Sequence, residues 1–114
     1  MSEAMRHRGN RSEELATAYL EAKGFVIVER NYYARKLGEI DIIAQKMGIL
    51  HFIEVKSSFK EGFDPIYNIT PAKLAKIVRS AQYYLKSKGL DVPYCIDAIV
   101  VRGGKVEHLE NITL

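Results

Sequence analysis

Acidic residues and one lysine recur at two-residue spacing in two neighbouring segments of the chain. The first segment carries Glu39 and Asp41, and the second carries Glu54 and Lys56. Side chains two residues apart lie on one face of a β-strand, so each pair shares a face if both segments are strands. Close carboxylates suit Mg²⁺ or Mn²⁺, and a nearby lysine can hold a phosphate. The pattern predicts metal-assisted hydrolysis of a phosphodiester.

A turn at residues 47–48 would join the two segments as an antiparallel hairpin. In that register Asp41 faces Glu54, and Glu39 faces Lys56. Directly opposed Cβ atoms lie about 4.5–5.5 Å apart on one face, so a regular hairpin gathers three acids and one lysine in one patch. Opposed carboxylates repel each other, and a divalent cation would compensate for that repulsion.

Pattern alone leaves two interpretations of this patch open. Asp41 and Glu54 are either metal ligands or surface charges that Lys56 bridges. The apolar residues of the hairpin favour ligands, because burying paired like charges without a role is costly. Strict alternation predicts Ile40, Ile42, Ile53 and Val55 on one face, and Ile43 and Phe52 beside the acids on the other.

The other predicted elements place this hairpin inside an α/β fold. Ser12 is expected to cap the first helix, and Thr70 with Pro71 to begin the second. A crossover through the second helix makes the third and fourth strands parallel. The order is α-β-β-β-α-β-β, with a mixed five-stranded sheet flanked by helices. Periodicity predicts helices at residues 12–23 and 71–88, and strands at 25–29, 39–45, 50–57, 94–101 and 106–109.

Length and composition indicate one globular domain over residues 1–114. A chain of 114 residues is long enough to bury a core, and its apolar content of 47% excludes a disordered chain. Residues 1–8 are expected to be flexible, and residues 58–69 to form a surface loop. No apolar run approaches the roughly 18 residues of a membrane span. A polar N-terminus and a single cysteine, Cys95, predict a cytoplasmic protein with no membrane partner.

Basic residues are distributed unevenly along the chain. The net charge is only +3, but the predicted second helix carries five basic residues and no acidic one. A polyanion is a reasonable partner for such a helix, and a solvated basic face is the alternative. The candidate nucleic-acid-binding residues are Arg8, Arg11, Arg35, Lys73, Lys76 and Arg79.

The acid followed by acid-x-lysine resembles the PD-(D/E)XK nuclease pattern. More closely, the chain resembles the YraN family of small bacterial proteins, which is similar to archaeal Holliday-junction resolvases. The blocks GEIDIIA at residues 38–44 and FIEVK at residues 52–56 carry this resemblance, which extends over nearly the whole chain. It implies a restriction-endonuclease-like core. The implied catalytic residues are Glu13, Asp41, Glu54 and Lys56, and the three acids would bind Mg²⁺ or Mn²⁺.

The resemblance also implies a substrate and an assembly. The expected partner is DNA, with branched or junction DNA as a candidate substrate and RNA as an alternative. Cutting both strands of a symmetric junction needs two sites, so a homodimer is expected on this analogy. The same fold also carries proteins that bind nucleic acid without cutting it, and an interaction protein with surface acids is a third hypothesis.

The remaining side chains that could react or bind a metal form no recognisable motif. His7, His51 and His108 have no ligand spacing between them, and Cys95 has no CxxC partner, so it is expected in the core. Asp97 is either a further acid near the site or a buried aspartate that caps a loop.

Overall fold

Five strands form one mixed sheet, with a helix packed on each face. The computed structural model describes the backbone of residues 3–58 and 69–113, and the side chains of residues 11–57 and 69–113. Across the sheet the strands follow chain order from β1 to β5. The elements are α1 (Glu3–Ala22), β1 (Val26–Tyr33), the 3₁₀ turn η1 (Arg35–Leu37), β2 (Glu39–Lys46), β3 (Ile49–Ser58), α2 (Pro71–Lys88), β4 (Tyr94–Arg102) and β5 (Lys105–Leu109).

The predicted α/β class and element order are confirmed. Strands β3 and β4 run parallel, as the crossover through α2 predicts, and the other neighbouring pairs run antiparallel. A strand buried on both faces is almost continuously apolar. Accordingly, residues 96–101 of β4 are all buried.

Two apolar cores lie on opposite faces of the sheet. On the α1 side, Leu20 packs with Ile42 and Ile53 of the sheet. On the α2 side, Ile77 packs with Ile43 and Phe52. Each core rests on the apolar stripe of one amphipathic helix, so the hairpin is held between two layers.

Helix α2 begins and ends where its capping residues predict. The Thr70 hydroxyl accepts a hydrogen bond from the backbone N–H of Lys73 at 3.2 Å, and Pro71 occupies the first helical position. Gly89 ends the helix in the left-handed conformation that favours glycine.

Helix α1 is longer than predicted. It begins at Glu3 instead of residue 12, so Ser12 lies inside the helix and does not cap it. Residues 3–8, expected to be a flexible end, belong to this helix. They include good helix formers, and a single glycine costs only about 1 kcal/mol in a helix interior.

Strand β1 also exceeds its prediction of residues 25–29. It runs from Val26 to Tyr33, so Arg30 and Asn31 belong to the strand and not to a loop. Its second half pairs with the start of β2, where Tyr33 lies opposite Glu39. An edge strand tolerates such polar residues because one side faces solvent.

The structure bears on two further predictions only through the residues that it describes. Most of the predicted surface loop at residues 58–69 lies outside the described residues. Within the described ranges, neither helix has a hydrophobic stretch long enough to cross a membrane.

Candidate active site

The β2–β3 hairpin opens into a fork at the end that carries the acids. Pairing keeps the predicted register from the turn as far as Ile42 opposite Ile53, where the ladder ends. The turn residues Met47 and Gly48 both have positive φ, at 52° and 77°, as a tight two-residue hairpin turn requires. We call the opening beyond Ile42 and Ile53 the fork.

Asp41 lies in the fork and does not form the regular cross-strand pair that was predicted with Glu54. Its Oδ2 atom instead accepts a hydrogen bond from the backbone N–H of Val55 at 2.8 Å. A short acidic side chain can replace a backbone carbonyl as the acceptor in this way. The carboxylate therefore sits between the two strands.

The same irregularity overturns the predicted alternation of the isoleucines. Ile42 packs in the α1-side core as expected with Ile53, but Ile40 packs in the α2-side core. On β1, Asn31 lies beside this point with a φ of 54°. Ile40 and Ile42 lie on opposite faces of the sheet, although residues two apart in a regular strand share a face.

The surroundings of Asp41 make its ionised form costly. Burial raises the pKa of Asp41 well above its ordinary value, and the negative charge of Glu54 adds to the effect. The hydrogen bond from Val55 lowers the pKa, but Glu13 and Glu39 contribute further repulsion. Three other carboxylates, one each from α1, β2 and β3, thus act on the partly buried carboxylate of Asp41, which is where a cation would be most favourable.

Helix α1 brings Glu13 to this region from the other side of the sheet. Its Oε2 atom lies 3.5 Å from the Arg30 guanidinium on β1. That oxygen is buried and has no hydrogen bond in the structure. The sequence predicts a loop around Arg30, and a loop gives no reason to expect the ion pair with Glu13. The pair forms because Arg30 belongs to strand β1.

Glu54 and Lys56 line a cleft between the sheet and α2. Lys56 Nζ lies 3.2 Å from Glu54 Oε1. The cleft has a volume of about 210 Å³ and is also lined by Glu39, Lys73 and Lys76. Acidic and basic side chains therefore meet at one concave surface next to the fork.

The donor set at the fork suits a hard divalent cation. Asp41 and Glu54 offer carboxylate oxygens, and Glu13 holds a buried oxygen with no hydrogen bond. In the part of the chain that the structure describes, these three acids do not form a group of donors lying within 4.8 Å of one another. Mg²⁺ typically takes one or two carboxylates and retains water, so Asp41 and Glu54 would hold it, with Glu13 further away.

The predicted nucleic-acid-binding residues fall in different places. Lys73 and Lys76 join the acids at the cleft. Arg35 lies in η1 and donates a hydrogen bond from Nε to the Tyr83 hydroxyl at 3.0 Å. Arg11 on α1 and Arg79 on α2 are exposed, outside the cleft lining. The side chain of Arg8 lies outside the described residues.

A second polar cluster was missed by sequence reasoning. Asp97 is fully buried, as one of its two interpretations predicted, but its partners are histidines. Its Oδ2 atom lies 2.6 Å from His51 Nδ1 and 2.8 Å from His108 Nε2. Its Oδ1 atom accepts from the backbone N–H of Asn111 at 2.9 Å. The three side chains come from β3, β4 and β5, so no sequence spacing relates them.

This cluster controls the ionisation of its members. Burial raises the pKa of Asp97, but hydrogen bonds from His108, His51 and the Asn111 N–H outweigh burial and hold the pKa well below its usual range. Burial and the charge of Asp97 raise the pKa of Cys95 to about 12. Cys95 was expected in the core, but it is only partly buried and contacts Asp97 Oδ1 at 3.3 Å.

Gly38 fixes the backbone just before Glu39 enters the cleft. Its φ of 127° and ψ of −157° belong to a region that glycine almost alone adopts. A Cβ atom there would meet only ordinary contacts, with Ser80 Oγ at 3.9 Å. Gly38→Ala should therefore lower the free energy of unfolding by about 1–3 kcal/mol through backbone strain.

Gly48→Ala is the matched control for this prediction, because Gly48 has a φ of 77° and open space around it. Asparagine and other residues reach that left-handed region at a lower cost, about 1 kcal/mol. Urea unfolding of both variants gives the comparison. A loss in Gly38→Ala no larger than that in Gly48→Ala would contradict the assignment of special strain to Gly38.

The fold and the fork define a small α/β protein with a partly buried acidic site on a β-hairpin. Residues 12–101 match the uncharacterised protein family UPF0102, and the chain belongs to that family. The resemblance to the YraN family is thereby confirmed.

Relatives of this family are similar over nearly their whole length. A UPF0102 protein of Sulfurovum sp. (strain NBC37-1) is 61% identical over 106 residues, which cover 93% of each chain. UPF0102 protein WS0451 of Wolinella succinogenes is 56% identical over 109 residues, covering 96% of this chain and 98% of the relative. UPF0102 protein HPP12_0830 of Helicobacter pylori (strain P12) is 53% identical over 108 residues, covering 95% of this chain and 92% of the relative. Their names state no activity.

Proposed function

We propose that this protein is a metal-dependent nuclease that hydrolyses phosphodiester bonds in DNA. The observation that carries the proposal is the carboxylate of Asp41 in the fork, where burial and the charge of Glu54 oppose its ionisation. A structural aspartate would gain a cationic partner at such a position. Asp41 instead has further acids as neighbours, so the site favours a cation from solution.

Each side chain at the fork would have its own role in the reaction. Asp41 and Glu54 would hold Mg²⁺ or Mn²⁺, and the bound ion would polarise the phosphate and acidify a water molecule. Lys56 lies 3.2 Å from Glu54, and its ammonium group can hold a phosphate oxygen and offset the charge that develops there. Glu13 approaches from α1 and is held by Arg30, which limits its movement.

The surfaces beside the fork suit a nucleic acid. Lys73 and Lys76 line the same cleft as Glu54 and can contact phosphates. A separate groove of about 460 Å³ is lined by residues that include Tyr33 and Arg35. Exposed aromatic rings can stack on bases, which favours unpaired or distorted strands over regular duplex. This arrangement supports branched or junction DNA as the substrate, with single-stranded RNA as an alternative.

Two ion pairs favour a second candidate, a protein that binds nucleic acid without cutting it. Lys56 is paired with Glu54, and Glu13 is paired with Arg30. If these pairs persist in the complex, Lys56 is not available to a phosphate. Binding through Lys73 and Lys76 would remain, so only a direct test of cleavage separates the two functions.

The test is a cleavage panel of duplex, flap, four-way junction and single-stranded DNA, with a single-stranded RNA arm. Each substrate is incubated with Mg²⁺, with Mn²⁺ and with EDTA. The proposed nuclease cuts at least one substrate only when metal is present. Binding without cleavage in every arm would reject the nuclease in favour of the second candidate. Sedimentation of the junction complex reports whether two copies bind, as a homodimer requires.

The cleft lysines should supply the salt-dependent part of the affinity. A Lys73→Ala, Lys76→Ala double variant is expected to bind all DNA sequences more weakly. The slope of log affinity against log salt should fall by about two units, one for each lost phosphate contact. The matched control is Lys86→Ala with Lys105→Ala, which removes the same charge at exposed positions outside the cleft. Equal slopes in the two double variants would show that DNA does not enter this cleft.

A further inference from the structure

Three strands of the sheet bring two imidazoles and a carboxylate together away from the fork. His51, Asp97 and His108 each offer one donor atom, and these atoms lie within 4.8 Å of one another. Asp97 is fully buried, and both histidines are nearly so. We call this group the histidine cluster. Imidazole nitrogen with carboxylate oxygen is a donor set that Zn²⁺ uses and Mg²⁺ avoids.

The distances in the histidine cluster are close to those of a zinc site. Zinc binds histidine nitrogen and carboxylate oxygen at about 2.0–2.1 Å, so adjacent donors of a tetrahedral site lie roughly 3.3 Å apart. The nitrogens of His51 and His108 lie 2.6 and 2.8 Å from Asp97 Oδ2. Small outward rotations of the side chains would therefore admit an ion. Cys95 Sγ lies 3.2 Å from His51 Nδ1, but it is not among the three donors that lie within 4.8 Å of one another.

One outer partner holds the carboxylate of the histidine cluster, and a second carboxylate lies near one of its rings. Asp97 Oδ1 accepts from the Asn111 N–H, which holds the carboxylate and leaves Oδ2 directed at the histidines. Glu110 Oε1 lies 3.9 Å from His108 Nδ1. A ligating histidine usually donates its other ring N–H to a carboxylate. Coordination through Nε2 would leave the His108 proton on Nδ1, facing Glu110.

We propose that His51, Asp97 and His108 form a Zn²⁺ site that joins β3, β4 and β5. The rings pack edge to face around Phe25, with centroid distances of 4.9 Å for His51 and 5.7 Å for His108. Such an apolar wall keeps solvent from the ion. The site lies on the α1 side of the sheet, whereas Glu54 and Lys56 line the cleft against α2. Its role is structural and does not depend on the proposed nuclease activity.

The test uses an Asp41→Asn variant, so that metal at the fork does not contribute to the signal. Zn²⁺ is titrated against it, and bound metal is measured by mass spectrometry after gel filtration. One equivalent should bind, and the melting temperature should rise with free Zn²⁺ by mass action and fall again with EDTA. Mg²⁺ should give no rise. No bound Zn²⁺, or no change in melting temperature, would overturn the site and leave a hydrogen-bonded cluster without an ion.

Substitution locates the bound ion. His108→Gln in the same background should weaken Zn²⁺ binding by at least about 10²-fold, since loss of an outer partner alone costs about 10–100-fold. His7→Gln removes the one histidine of the sequence that lies outside the cluster and should leave the affinity unchanged. Retained affinity in His108→Gln would overturn the assignment. If that variant does not fold, the ring-proton NMR signals of His51 and His108 are followed in the Asp41→Asn protein instead. The site requires both sets of signals to shift with one equivalent of Zn²⁺, and unchanged signals reject it.

Discussion

Asp41→Asn is expected to abolish metal-dependent cleavage while leaving the fold intact. The asparagine oxygen can still accept the Val55 N–H, which Asp41 now holds at 2.8 Å, but a neutral amide is a poor ligand for Mg²⁺. Loss of an outer partner of a metal site already costs about 10–100-fold, so loss of a direct ligand should reduce the rate by more than about 10²-fold. Single-turnover cleavage of the best substrate in Mn²⁺ measures this loss.

The same variant should be at least as stable as the wild-type protein in EDTA. A carboxyl group whose folded pKa lies above its unfolded value opposes folding once the pH exceeds the unfolded value of about 3.9. Burial and the charge of Glu54 raise the pKa of Asp41 in this way. The advantage of Asp41→Asn should therefore be small near pH 4 and grow as the pH rises to about 8. Urea unfolding across that range gives the curve.

Glu107→Gln is the matched control for both measurements. Glu107 is an exposed acid on the edge strand β5, so its loss should alter neither cleavage nor stability. Destabilisation of Asp41→Asn by several kcal/mol would identify Asp41 as a structural residue. Cleavage at the wild-type rate would remove it from the active site.

Asp97→Ala should cause the largest loss of stability of any change considered. The substitution leaves His51, His108 and the Asn111 N–H without their buried acceptor. Breaking a buried charged network by removing one member typically costs about 3–5 kcal/mol. Asp91→Ala, at an exposed position between α2 and β4, should stay within about 0.5 kcal/mol of wild type. Urea unfolding in EDTA measures both variants without any contribution from a metal.

The pH dependence of this loss has the opposite sign to that of Asp41. Hydrogen bonds hold the pKa of Asp97 below its usual range despite burial. Its contribution to stability is therefore complete above the unfolded value of about 3.9, and it is lost as the pH falls towards the folded pKa. The gap between wild type and Asp97→Ala should narrow below about pH 4. A loss under about 1 kcal/mol at neutral pH would mean that the network stabilises little.

Local sequence determined the elements that are built from near neighbours. A two-residue turn at Met47 and Gly48 sets the hairpin register, because chain connection leaves the two strands few alternatives. That register is observed from the turn as far as Ile42 and Ile53. The ends of α2 follow from Thr70 and Gly89 for the same reason, since capping groups act within one turn of helix. The order of elements and the parallel crossover also follow from the sequence.

Only the tertiary structure decided how the hairpin ends. Sequence pattern brought Asp41 and Glu54 to neighbouring positions, but strict pairing and alternation were wrong beyond Ile42. The Asp41 carboxylate takes a backbone N–H of β3 that a carbonyl would otherwise take, and Ile40 turns to the other core. This outcome depends on competition between the Asp41 side chain and the backbone hydrogen bonds that pair β2 with β3. Hydrophobic periodicity carries no information about that competition.

The histidine cluster also required the tertiary structure. His51 lies opposite Cys95 in the parallel pairing of β3 with β4, and His108 lies opposite Ile99 in the pairing of β4 with β5. A tight turn sets the register of an antiparallel hairpin, but a parallel pair is joined by a long crossover that leaves its register free. The meeting of His51 with Asp97 is therefore a property of the folded core and not of any spacing along the chain.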